Sequence, residues 1–427
     1  MNPAASKLVV VGQGYVGLPL AMRAVDVGYD VVGFEHNPER LKRLSAAATY
    51  VQDVSSDALQ RALDSGRYLP TDERQRLAKF DAALITVPTP LREGRPDLRY
   101  IEEAGNLLSR YLTSGAVVVL ESTTYPGTTE ELLADILEKG SGLRAGTDFH
   151  LGYSPERIDP ANKDHTAVTT PKLVSGVSAE SLSAIRRLYE SLVETVVPVS
   201  RPREAELAKL LENTFRHVNI ALVNELAMFA AELDVDIWES IDAAATKPFG
   251  FMRFQPGPGV GGHCLPVDPS YLSWHVRTTL GRSFRFVELA NDINEHMPDY
   301  VMRRLMVGLS RQGKAVTGSN ILLLGISYKR NTSDVRESPA LPLAEQLLRL
   351  GASVSYVDGH AAELDNVEAR LGEPFPKVML TKDVLSHADA VVLLTDHDDF
   401  DYGLIERSSR YVLDTRHRCV GLNIEYL

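Results

Sequence analysis

Short apolar runs of strand length recur along the first 200 residues, separated by stretches with helical periodicity. Runs that are apolar on both faces are typical of parallel strands buried between helices. They lie at 7–11, 30–34, 82–87, 116–120, 150–154, 172–176 and 195–199. The pattern predicts an α/β fold whose first sheet continues to about residue 200.

A long helix is predicted next. Apolar residues recur at intervals of three and four from Arg203 to Leu233, as they do along one side of a helix. Lys209 and Asn213 are four residues apart and therefore share a face, and a face that carries a lysine is most often solvated. A helix of this length between two domains is also a natural dimer surface. A second long helix is predicted from 286 to 309.

Strand and helix alternate again after the polar segment 313–319. Strands are predicted at 320–324, 353–357, 390–395 and 411–413, with a helix at 341–350. This alternation indicates a second, smaller Rossmann-like sheet. The expected domains are therefore 1–200, 201–314 and 315–427, of which the middle one is helical.

The composition is that of an ordinary soluble protein and narrows the classes of partner. The 427 residues are 44% hydrophobic and 24% charged, with a net charge of −12. An acidic balance disfavours nucleic acid and anionic membrane surfaces. No signal peptide or membrane span is recognisable, so we expect a cytoplasmic protein. Two cysteines, Cys264 and Cys419, are too few for a disulfide framework.

The first apolar run ends in a glycine turn that precedes a predicted helix. In Gly12-Gln13-Gly14-Tyr15-Val16-Gly17 the first glycine makes the turn, the second lets the backbone approach a pyrophosphate, and the third packs helix on strand. The predicted helix runs from Leu18 to Val27, and the amides and positive dipole of its N-terminus attract phosphate. The pattern predicts dinucleotide binding, although such a motif alone is weak.

A carboxylate follows the second predicted strand and strengthens this prediction. Glu35 lies about twenty residues after the glycines, where it can bind both ribose hydroxyls and repel a 2′-phosphate. We therefore expect NAD as cofactor. Arg40 leaves room for NADP, because an arginine near this position can meet the extra phosphate.

Two further strands end in polar loops that contain proline. Thr89 lies in the first loop and Thr123 in the second. Ligands of open α/β sheets bind beyond the carboxyl ends of the strands, so both residues are candidates for the nicotinamide side of the cofactor. It is equally possible to interpret these threonines as structural residues that stabilise a turn or cap a helix.

One cysteine lies in a segment that is rich in glycine and proline. Cys264 follows Gly259-Val260-Gly261-Gly262-His263, and Asp268 comes four residues later. Because Pro266 and Pro269 disfavour regular structure, we expect a rigid, accessible loop that presents a nucleophilic thiol. The alternative is a half-buried structural cysteine. The aromatic and basic segment 247–254 leads into this loop and has the chemistry to contact a substrate.

The predicted C-terminal sheet has a cationic loop where a nucleotide would bind. Residues 327–338 follow its first strand and carry Lys329, Arg330 and Arg336. A glycine fingerprint is missing, so a second NAD is not expected. No metal is expected either, because the acidic run around His397 is typical of a solvated loop.

These features together indicate two nucleotide-bearing ligands that meet at a thiol. Simple alcohol oxidation needs no nucleophile, whereas a thiolate can add to an aldehyde to form a thiohemiacetal. The thiohemiacetal gives up a second hydride, and water hydrolyses the resulting thioester to a carboxylate. The sequence therefore suggests a four-electron oxidation.

The chain resembles the UDP-glucose/GDP-mannose dehydrogenase family over nearly its whole length. The resemblance rests on the glycine turn with Leu18-Pro19, on Ser154-Pro155-Glu156-Arg157, on the cysteine segment with Asp268, and on Tyr328-Lys329 to Arg336-Glu337-Ser338. It implies an NAD-binding Rossmann domain, a helical dimerisation domain and a UDP-binding Rossmann-like domain. The segments 247–252 and 256–264 are most similar to the branch that acts on UDP-N-acetylhexosamines, with UDP-N-acetylglucosamine as the expected substrate. His263 agrees with that branch.

The resemblance also implies roles for individual residues. Cys264 would be the nucleophile, Asp268 with Lys209 would handle the proton and the oxyanion at C6, and Asn213 would lie beside them. Glu156 would be the general base for thioester hydrolysis, and Thr123 would position water. Arg336 would approach the NAD pyrophosphate, Lys329 the uridine diphosphate, and Arg253 the substrate phosphate, across a subunit interface if the protein dimerises.

Substrate and cofactor positions follow from the same resemblance. The cofactor positions are Gly12, Gly14, Tyr15, Val16, Gly17, Glu35, Arg40, Thr89, Thr123 and Arg336. The substrate positions are Glu156, Arg157, Lys209, Asn213, Phe249, Arg253, Phe254, Gly261, Tyr328 and Lys329. A homodimer or higher homo-oligomer is expected.

Other readings remain open at this point. UDP-N-acetylmannosamine, UDP-N-acetylgalactosamine and UDP-glucose are alternative substrates. A two-electron hydroxyacid dehydrogenase of the 6-phosphogluconate type would need neither Cys264 nor the third domain. A protein that only senses NAD would not need the catalytic set.

Overall fold

Six parallel strands form the main sheet of the first unit, in the order β3-β2-β1-β4-β7-β8. The computed structural model describes residues 6–158, 165–262, 264–361 and 372–427, without the side chain of Cys264. It divides into two compact units, Met1–Glu212 and Asn213–Leu427. The strands of the first unit are β1 Lys7–Val11, β2 Asp30–Phe34, β3 Tyr68–Thr71, β4 Ala82–Ile85, the hairpin β5 Leu91–Arg92 and β6 Arg95–Pro96, β7 Val117–Leu120, β8 His150–Tyr153, β9 Lys172–Val174 and β10 Val196–Pro198.

Helices cover both faces of this sheet, as its apolar strands require. Side chains alternate along β1, so that Leu8 and Val10 pack into one core cluster and Val9 and Val11 into another on the opposite face. The helices are α1 Gly17–Asp26, α2 Pro38–Ser45, α3 Ser56–Asp64, α4 Arg99–Ser109, α5 Ala134–Ser141 and α6 Ala179–Tyr189.

The main sheet is confirmed where the strands were predicted, except at its far edge. β9 and β10 form a separate two-stranded parallel ladder instead of continuing the sheet. Backbone hydrogen bonds from Ser175 and Val177 tie the segment after β9 to β8. This brings the start of β9 close to the carboxyl end of β7, where Lys172 contacts Glu121.

The strand order reverses between β1 and β4. In open parallel sheets the crevice at such a reversal, beyond the carboxyl ends of the strands, is where nucleotides bind. The glycine turn after β1 and the loop after β4 therefore occupy the expected ligand position.

Helix α7, Pro202–Glu232, crosses from the first unit into the second. Its polar face is buried and much of its apolar face is exposed. Lys209 and Asn213 are 7% and 6% exposed, whereas Leu211 is 63% exposed. The interpretation of the Lys209 face as solvated is therefore wrong, since Glu206, Lys209 and Asn213 all point inward.

The remaining helices of the second unit differ from the prediction where proline occurs. They are α8 Ile237–Ala245, α9 Cys264–Leu280, α10 Arg285–Glu295, α11 Met297–Arg311, α12 Ala340–Arg349, α13 Lys382–His387 and α14 Tyr402–Ser408. The predicted helix 286–309 is two helices, because the first ends before His296 and the second begins at Met297, with Pro298 in its first turn. Among the described residues, none of the helices has the length and apolar content that crossing a lipid bilayer requires.

A five-stranded parallel sheet completes the second unit and confirms the predicted Rossmann-like sheet. Its order is β12-β11-β13-β14-β15, and it reverses between β11 and β13. The strands are β11 Asn320–Leu324, β12 Ser353–Val357, β13 Ala390–Leu393, β14 Val412–Asp414 and β15 Ile424–Tyr426.

Candidate active site

The three glycines of the turn after β1 have three different environments. Gly12 has a φ of +91°, which favours glycine, and a Cβ on Gly17 would lie 1.9 Å from the carbonyl oxygen of Gly12. A Cβ on Gly14 would meet nothing within 4 Å. Gly12 and Gly17 are therefore required by the fold, whereas Gly14 faces open space at the N-terminus of α1, as a phosphate site requires.

Glu35 is held as a buried acceptor beside this turn. The amide of Gln13 donates to its Oε2 at 3.2 Å, and the amide of Asn37 donates to its Oε1 at 3.0 Å. Nη1 of Arg40 lies 3.8 Å from the same Oε2. Arg40 is thus balanced by Glu35, which fits the preference for NAD that the sequence predicts.

Gln13 is a structural residue of this site that the sequence analysis missed. Its Nε2 donates to the carbonyl of Val10, and its Oε1 accepts from the hydroxyl of Tyr68 at 2.7 Å. Tyr50 donates to its backbone carbonyl at 2.6 Å. Gln13 lies between two glycines of the motif, at a position where the motif itself does not require a particular residue. Its place just after the apolar strand is the one feature of the local sequence that suggests burial.

The loops after β4 and β7 meet at the same edge of the sheet. Thr89 is buried in the first loop and Thr123 is partly buried in the second. Ser122 joins the loops, because its hydroxyl donates to the carbonyl of Val87 at 2.8 Å. Thr123 is therefore held next to a fixed turn, and its role in positioning water stays a prediction.

Glu156 lies in a buried charged cluster that the sequence did not predict. Lys172 Nζ donates to Glu121 Oε2 at 2.7 Å and to Glu156 Oε2 at 3.2 Å. The amides of Arg157 and Ile158 donate to Glu156 Oε1 at 2.6 and 2.7 Å. Burial acts to raise the pKa of Glu156, but Lys172, the amide of Ile158 and Lys209 outweigh it and hold that pKa below its usual value. Glu156 is therefore a carboxylate at neutral pH.

Glu206 connects α7 to the loop after β7. Its carboxylate accepts hydrogen bonds from the amides of Gly127 and Thr129 at 2.6 and 2.9 Å, and from the Thr129 hydroxyl at 2.7 Å. Burial raises the pKa of Glu206 to about 7. Because Lys209 lies one turn further along α7, Glu206 fixes the height of Lys209 relative to that loop.

Asn213 and Asp268 form a buried pair in the second unit. Asn213 Nδ2 donates to Asp268 Oδ2 at 2.6 Å, and both side chains are almost fully buried. Asp268 lies one turn after Cys264, which is the first residue of α9. The expectation that prolines keep this segment a loop is therefore wrong from residue 264 onward.

The prolines are compatible with α9 for a physical reason. Pro266 lies in the first turn, where amides have no partner within the helix. Pro269 lies inside the helix, where it has no amide to donate to the carbonyl of Leu265, and the next residue, Ser270, bonds the carbonyl of Pro266 with its hydroxyl at 3.0 Å. Cys264 thus opens a helix, and the amides and dipole of a helix N-terminus favour a thiolate. His263 and the side chain of Cys264 lie outside the described residues.

The glycines before α9 pack against the loop after β11. A Cβ on Gly262 would lie 2.6 Å from the ring of Tyr328, and a Cβ on Gly261 would lie 2.7 Å from the carbonyl of Glu337. The amide of Gly262 donates to the carbonyl of Arg336 at 2.9 Å. The structure thus brings together the predicted positions Gly261 and Tyr328, and the loop that carries Lys329 supports the chain leading to Cys264.

The cations of the loop after β11 are engaged within the second unit. Arg336 makes a two-pronged contact with Asp334 at 2.9 and 2.6 Å, and Arg330 pairs with Asp398. Lys329 is partly buried. The roles predicted for Arg336 and Lys329 stay predictions.

His360, His397 and Asp399 place possible ligand atoms within 4.8 Å of one another. Both ring nitrogens of His397 are already used, since Nδ1 accepts from the amide of Asn331 at 3.0 Å and Nε2 contacts Asp358 at 3.1 Å. The His397 contact helps hold the pKa of Asp358 far below its usual value against the opposing effect of burial. His397 is therefore held by hydrogen bonds to Asn331 and Asp358 at the carboxyl edge of the sheet, which is a structural role.

The predicted substrate residues before α9 are spread apart in this structure. Phe249 is exposed under Lys247, and Arg253 pairs with Asp242 at 2.7 Å. Phe254 packs edge-on against Phe215 with ring centroids 5.8 Å apart. In the first unit, Arg157 pairs with Glu212 at 2.7 Å.

Comparison with known proteins agrees with this architecture. Residues 6–193 match the NAD binding domain of the UDP-glucose/GDP-mannose dehydrogenase family, residues 203–296 its central domain and residues 322–420 its UDP binding domain. The matches cover the six-stranded sheet of the first unit, the helices α7 to α10 and most of the C-terminal sheet.

Three relatives show the range of substrates in their names. A UDP-N-acetyl-D-glucosamine 6-dehydrogenase of Pseudomonas aeruginosa is 37% identical over 82% of each chain. An NDP-N-acetyl-D-galactosaminuronic acid dehydrogenase of Ralstonia solanacearum is 37% identical over 95% of each chain. The solved structure of a UDP-D-ManNAc dehydrogenase from Pyrococcus horikoshii has 32% sequence identity and a TM-score of 0.87 over 98% of each chain.

Proposed function

Because the chain belongs to the UDP-glucose/GDP-mannose dehydrogenase family and is an NAD-dependent UDP-sugar dehydrogenase, we propose that it oxidises C6 of a UDP-N-acetylhexosamine to a carboxylate. The sugar that we expect is N-acetylglucosamine. UDP-N-acetylmannosamine and UDP-N-acetylgalactosamine are the nearest alternatives, since relatives of similar identity carry all three kinds of name.

The proposed reaction removes four electrons in two oxidations and ends in hydrolysis. NAD accepts one hydride in each oxidation, so two NAD are consumed per sugar. Between them the Cys264 thiolate adds to the C6 aldehyde and forms a thiohemiacetal, which the second oxidation converts to a thioester. Water then attacks the thioester carbon, the C–S bond breaks, and the uronate and the free thiol are released.

The observation that carries the proposal is the Asn213–Asp268 pair one turn into α9. Asp268 is buried, hydrogen bonded and in helical register with Cys264. An Asp and an Asn of this kind can hold the C6 oxygen and take up its proton as the hydride leaves. Lys209 lies one turn from Asn213 on α7 and offers a cation for the oxyanion.

The state of Glu156 supports its proposed role in hydrolysis. A general base must be ionised to accept a proton from water, and the depressed pKa of Glu156 keeps it so at neutral pH. Its Oε1 accepts two amide bonds, so Oε2, which binds Lys172, is the oxygen left to take the proton.

The exposed stripe of α7 supports a homodimer. Its large apolar side chains follow helical spacing and are exposed in the single chain. They are Leu207, Leu211, Phe215, Leu222, Leu226, Phe229 and Leu233. A contiguous apolar face of this kind marks a protein interface, and a second copy offers the same face by two-fold symmetry.

The dimer is tested with Leu226→Asp, which places a charge in the middle of the stripe. We expect the wild type to sediment as a dimer and the variant as a monomer. Leu422→Asp is the matched control, because Leu422 is fully exposed at a C-terminal turn outside α7. A wild type that sediments as a monomer would contradict the proposal.

The sugar is tested by following NADH across a panel of UDP-sugars. The panel contains UDP-N-acetylglucosamine, UDP-N-acetylmannosamine, UDP-N-acetylgalactosamine and UDP-glucose. We expect kcat/KM to be highest for UDP-N-acetylglucosamine and lowest for UDP-glucose. Preference for UDP-glucose would contradict the assignment to N-acetylhexosamines.

A further inference from the structure

We propose that Lys172 is a positioning residue for the hydrolytic step: anchored by Glu121, it binds Glu156 Oε2 and keeps that side chain as a directed carboxylate. The inference rests on the proposed role of Glu156 as general base and adds to it the group that controls this base.

The contacts place Lys172 between an inner and an outer carboxylate. Its Nζ is 2.7 Å from Glu121 Oε2 and 3.2 Å from Glu156 Oε2. The Lys172 side chain is 7% exposed and that of Glu121 is fully buried, whereas that of Glu156 is 19% exposed. Glu156 is therefore the member of the cluster that water can reach.

Glu121 is anchored from the other side. The hydroxyl of Tyr189 donates to Glu121 Oε1, and Lys172 Nζ also lies over the Tyr189 ring at 5.7 Å. Glu121 and Tyr189 thus fix the end of the Lys172 side chain, which is otherwise long and flexible. Because the ammonium group is fixed in this way, its hydrogen bond to Glu156 Oε2 restrains the position of the Glu156 carboxylate.

The two carboxylates of this cluster differ in the direction of their pKa shifts. Lys172 offers one positive charge to two acidic groups, and Tyr189 faces them from α6. Burial raises the pKa of Glu121. Burial acts in the same direction on Glu156, but the positive charges of Lys172 and Lys209 outweigh it and keep the pKa of Glu156 lowered. A buried carboxylate that loses its cation is strongly disfavoured in the charged form. Removal of Lys172 therefore weakens Glu156 as an ionised base near neutral pH.

The test compares pH profiles of uronate formation for the wild type, Lys172→Met and Lys172→Arg. We expect the acidic limb of the plot of kcat against pH to shift to higher pH by at least about one unit in Lys172→Met, because a carboxylate that loses a close cation has a higher pKa. Lys172→Arg keeps the positive charge, so its acidic limb should lie closer to that of the wild type than to that of Lys172→Met. If the role of Lys172 were purely structural, kcat would fall by the same factor at every pH and the acidic limb would not shift.

A second readout isolates the hydrolytic step. If hydrolysis slows, a burst of two NADH per active site precedes steady state, and acid-quenched Lys172→Met protein carries a covalent sugar-nucleotide acyl group visible by intact mass. Lys139→Met is the matched control, since Lys139 pairs with Asp135 on an exposed helix face, and it should behave like the wild type.

Lys172→Met leaves Glu121 buried without its cation and can impair folding. The double variant Lys172→Met/Glu121→Gln removes that charge and should fold, with the same upward shift of the acidic limb. An unshifted limb in the folded double variant overturns the inference.

One further variant separates this inference from the proposed function. Glu156→Gln should accumulate the thioester at every pH. If it does while Lys172→Met shows the wild-type profile, the inference fails and the proposed function stands. If Glu156→Gln hydrolyses the thioester at the wild-type rate, the general-base role of Glu156 and the inference about Lys172 both fail, while the proposed oxidation of C6 stands.

Discussion

Asn213 Nδ2 donates a hydrogen bond of 2.6 Å to Asp268 Oδ2, and both side chains are buried. The bond joins α7 to the first turns of α9, whose first residue is Cys264. It therefore fixes the register of a carboxylate that lies one turn from the proposed nucleophile.

Asn213→Ala should lower kcat for uronate formation by about 5- to 150-fold, because removing a hydrogen bond to a buried carboxylate costs about 1–3 kcal/mol. The measurement is steady-state NADH formation with saturating NAD and UDP-sugar. Asn219→Ala is the control on the same helix, since the Asn219 side chain donates to the backbone carbonyl of Phe215 within that helix. An unchanged kcat for Asn213→Ala would show that the pair has no part in the reaction.

The glycine turn offers a pair of substitutions with opposite outcomes. Gly17→Ala forces a Cβ to 1.9 Å from the carbonyl of Gly12 and should destabilise the protein by about 1–3 kcal/mol. Gly14→Ala meets open space, so it should melt like the wild type. It should still raise KM for NAD at least about tenfold, which corresponds to about 1.4 kcal/mol of lost phosphate contact. Wild-type affinity for NAD in Gly14→Ala would place the pyrophosphate elsewhere.

Glu35→Ser should change the cofactor preference. It removes the acceptor for the ribose hydroxyls and releases Arg40, which lies 3.8 Å from Glu35. We expect kcat/KM for NAD to fall about 10- to 100-fold, the value of a hydrogen bond to a charged group, and activity with NADP to rise. Glu39→Gln, an exposed neighbour on α2, is the control. If NAD and NADP were affected alike, Glu35 would not contact the ribose.

The pKa of Glu206, raised to about 7 by burial, predicts a pH-dependent stability. Between about pH 4.5 and 7 the folded protein binds more protons at this site than the unfolded chain, so its contribution to stability falls as pH rises. The shift corresponds to about 3 kcal/mol. Unfolding by urea at pH 5 and pH 8 should show this loss in the wild type and not in Glu206→Gln.

The control for this prediction is Glu232→Gln on the same helix, because Glu232 is exposed. It should lose the same stability as the wild type between the two pH values. If the difference between the wild type and Glu206→Gln is the same at pH 5 and pH 8, Glu206 is ionised throughout and the prediction fails.

The dinucleotide site could be predicted from the sequence because its chemistry is local. The glycines and Glu35 belong to adjacent elements of one β-α-β unit, and the spacing between them determines their geometry. Gln13 and Tyr68 were missed because their contact joins residues 55 positions apart, which no local pattern records. Lys172 was missed for the same reason.

Helix α7 was predicted at nearly its full length, but the sequence did not show which face is buried. Periodicity places apolar residues on one stripe and polar residues on another, and the usual outcome buries the apolar stripe. Here Leu211 is exposed while Glu206 and Lys209 are buried. Partners for the buried charges come from distant segments, and the exposed leucines form the surface of the proposed homodimer.

The cysteine segment was predicted as a site but not as a helix. Prolines were taken to exclude regular structure, although proline is tolerated in the first turn of a helix. The helix starts at Cys264, so the predicted nucleophile is the first residue of a helix and not part of a loop.

The central claim is that the Cys264 thiol carries the sugar between two oxidations, and the most direct test is the ratio of NADH to uronate for the wild type and Cys264→Ala. We predict two NADH per uronate for the wild type and no uronate from Cys264→Ala. One NADH per sugar consumed by the wild type, or full uronate formation by Cys264→Ala, would contradict it.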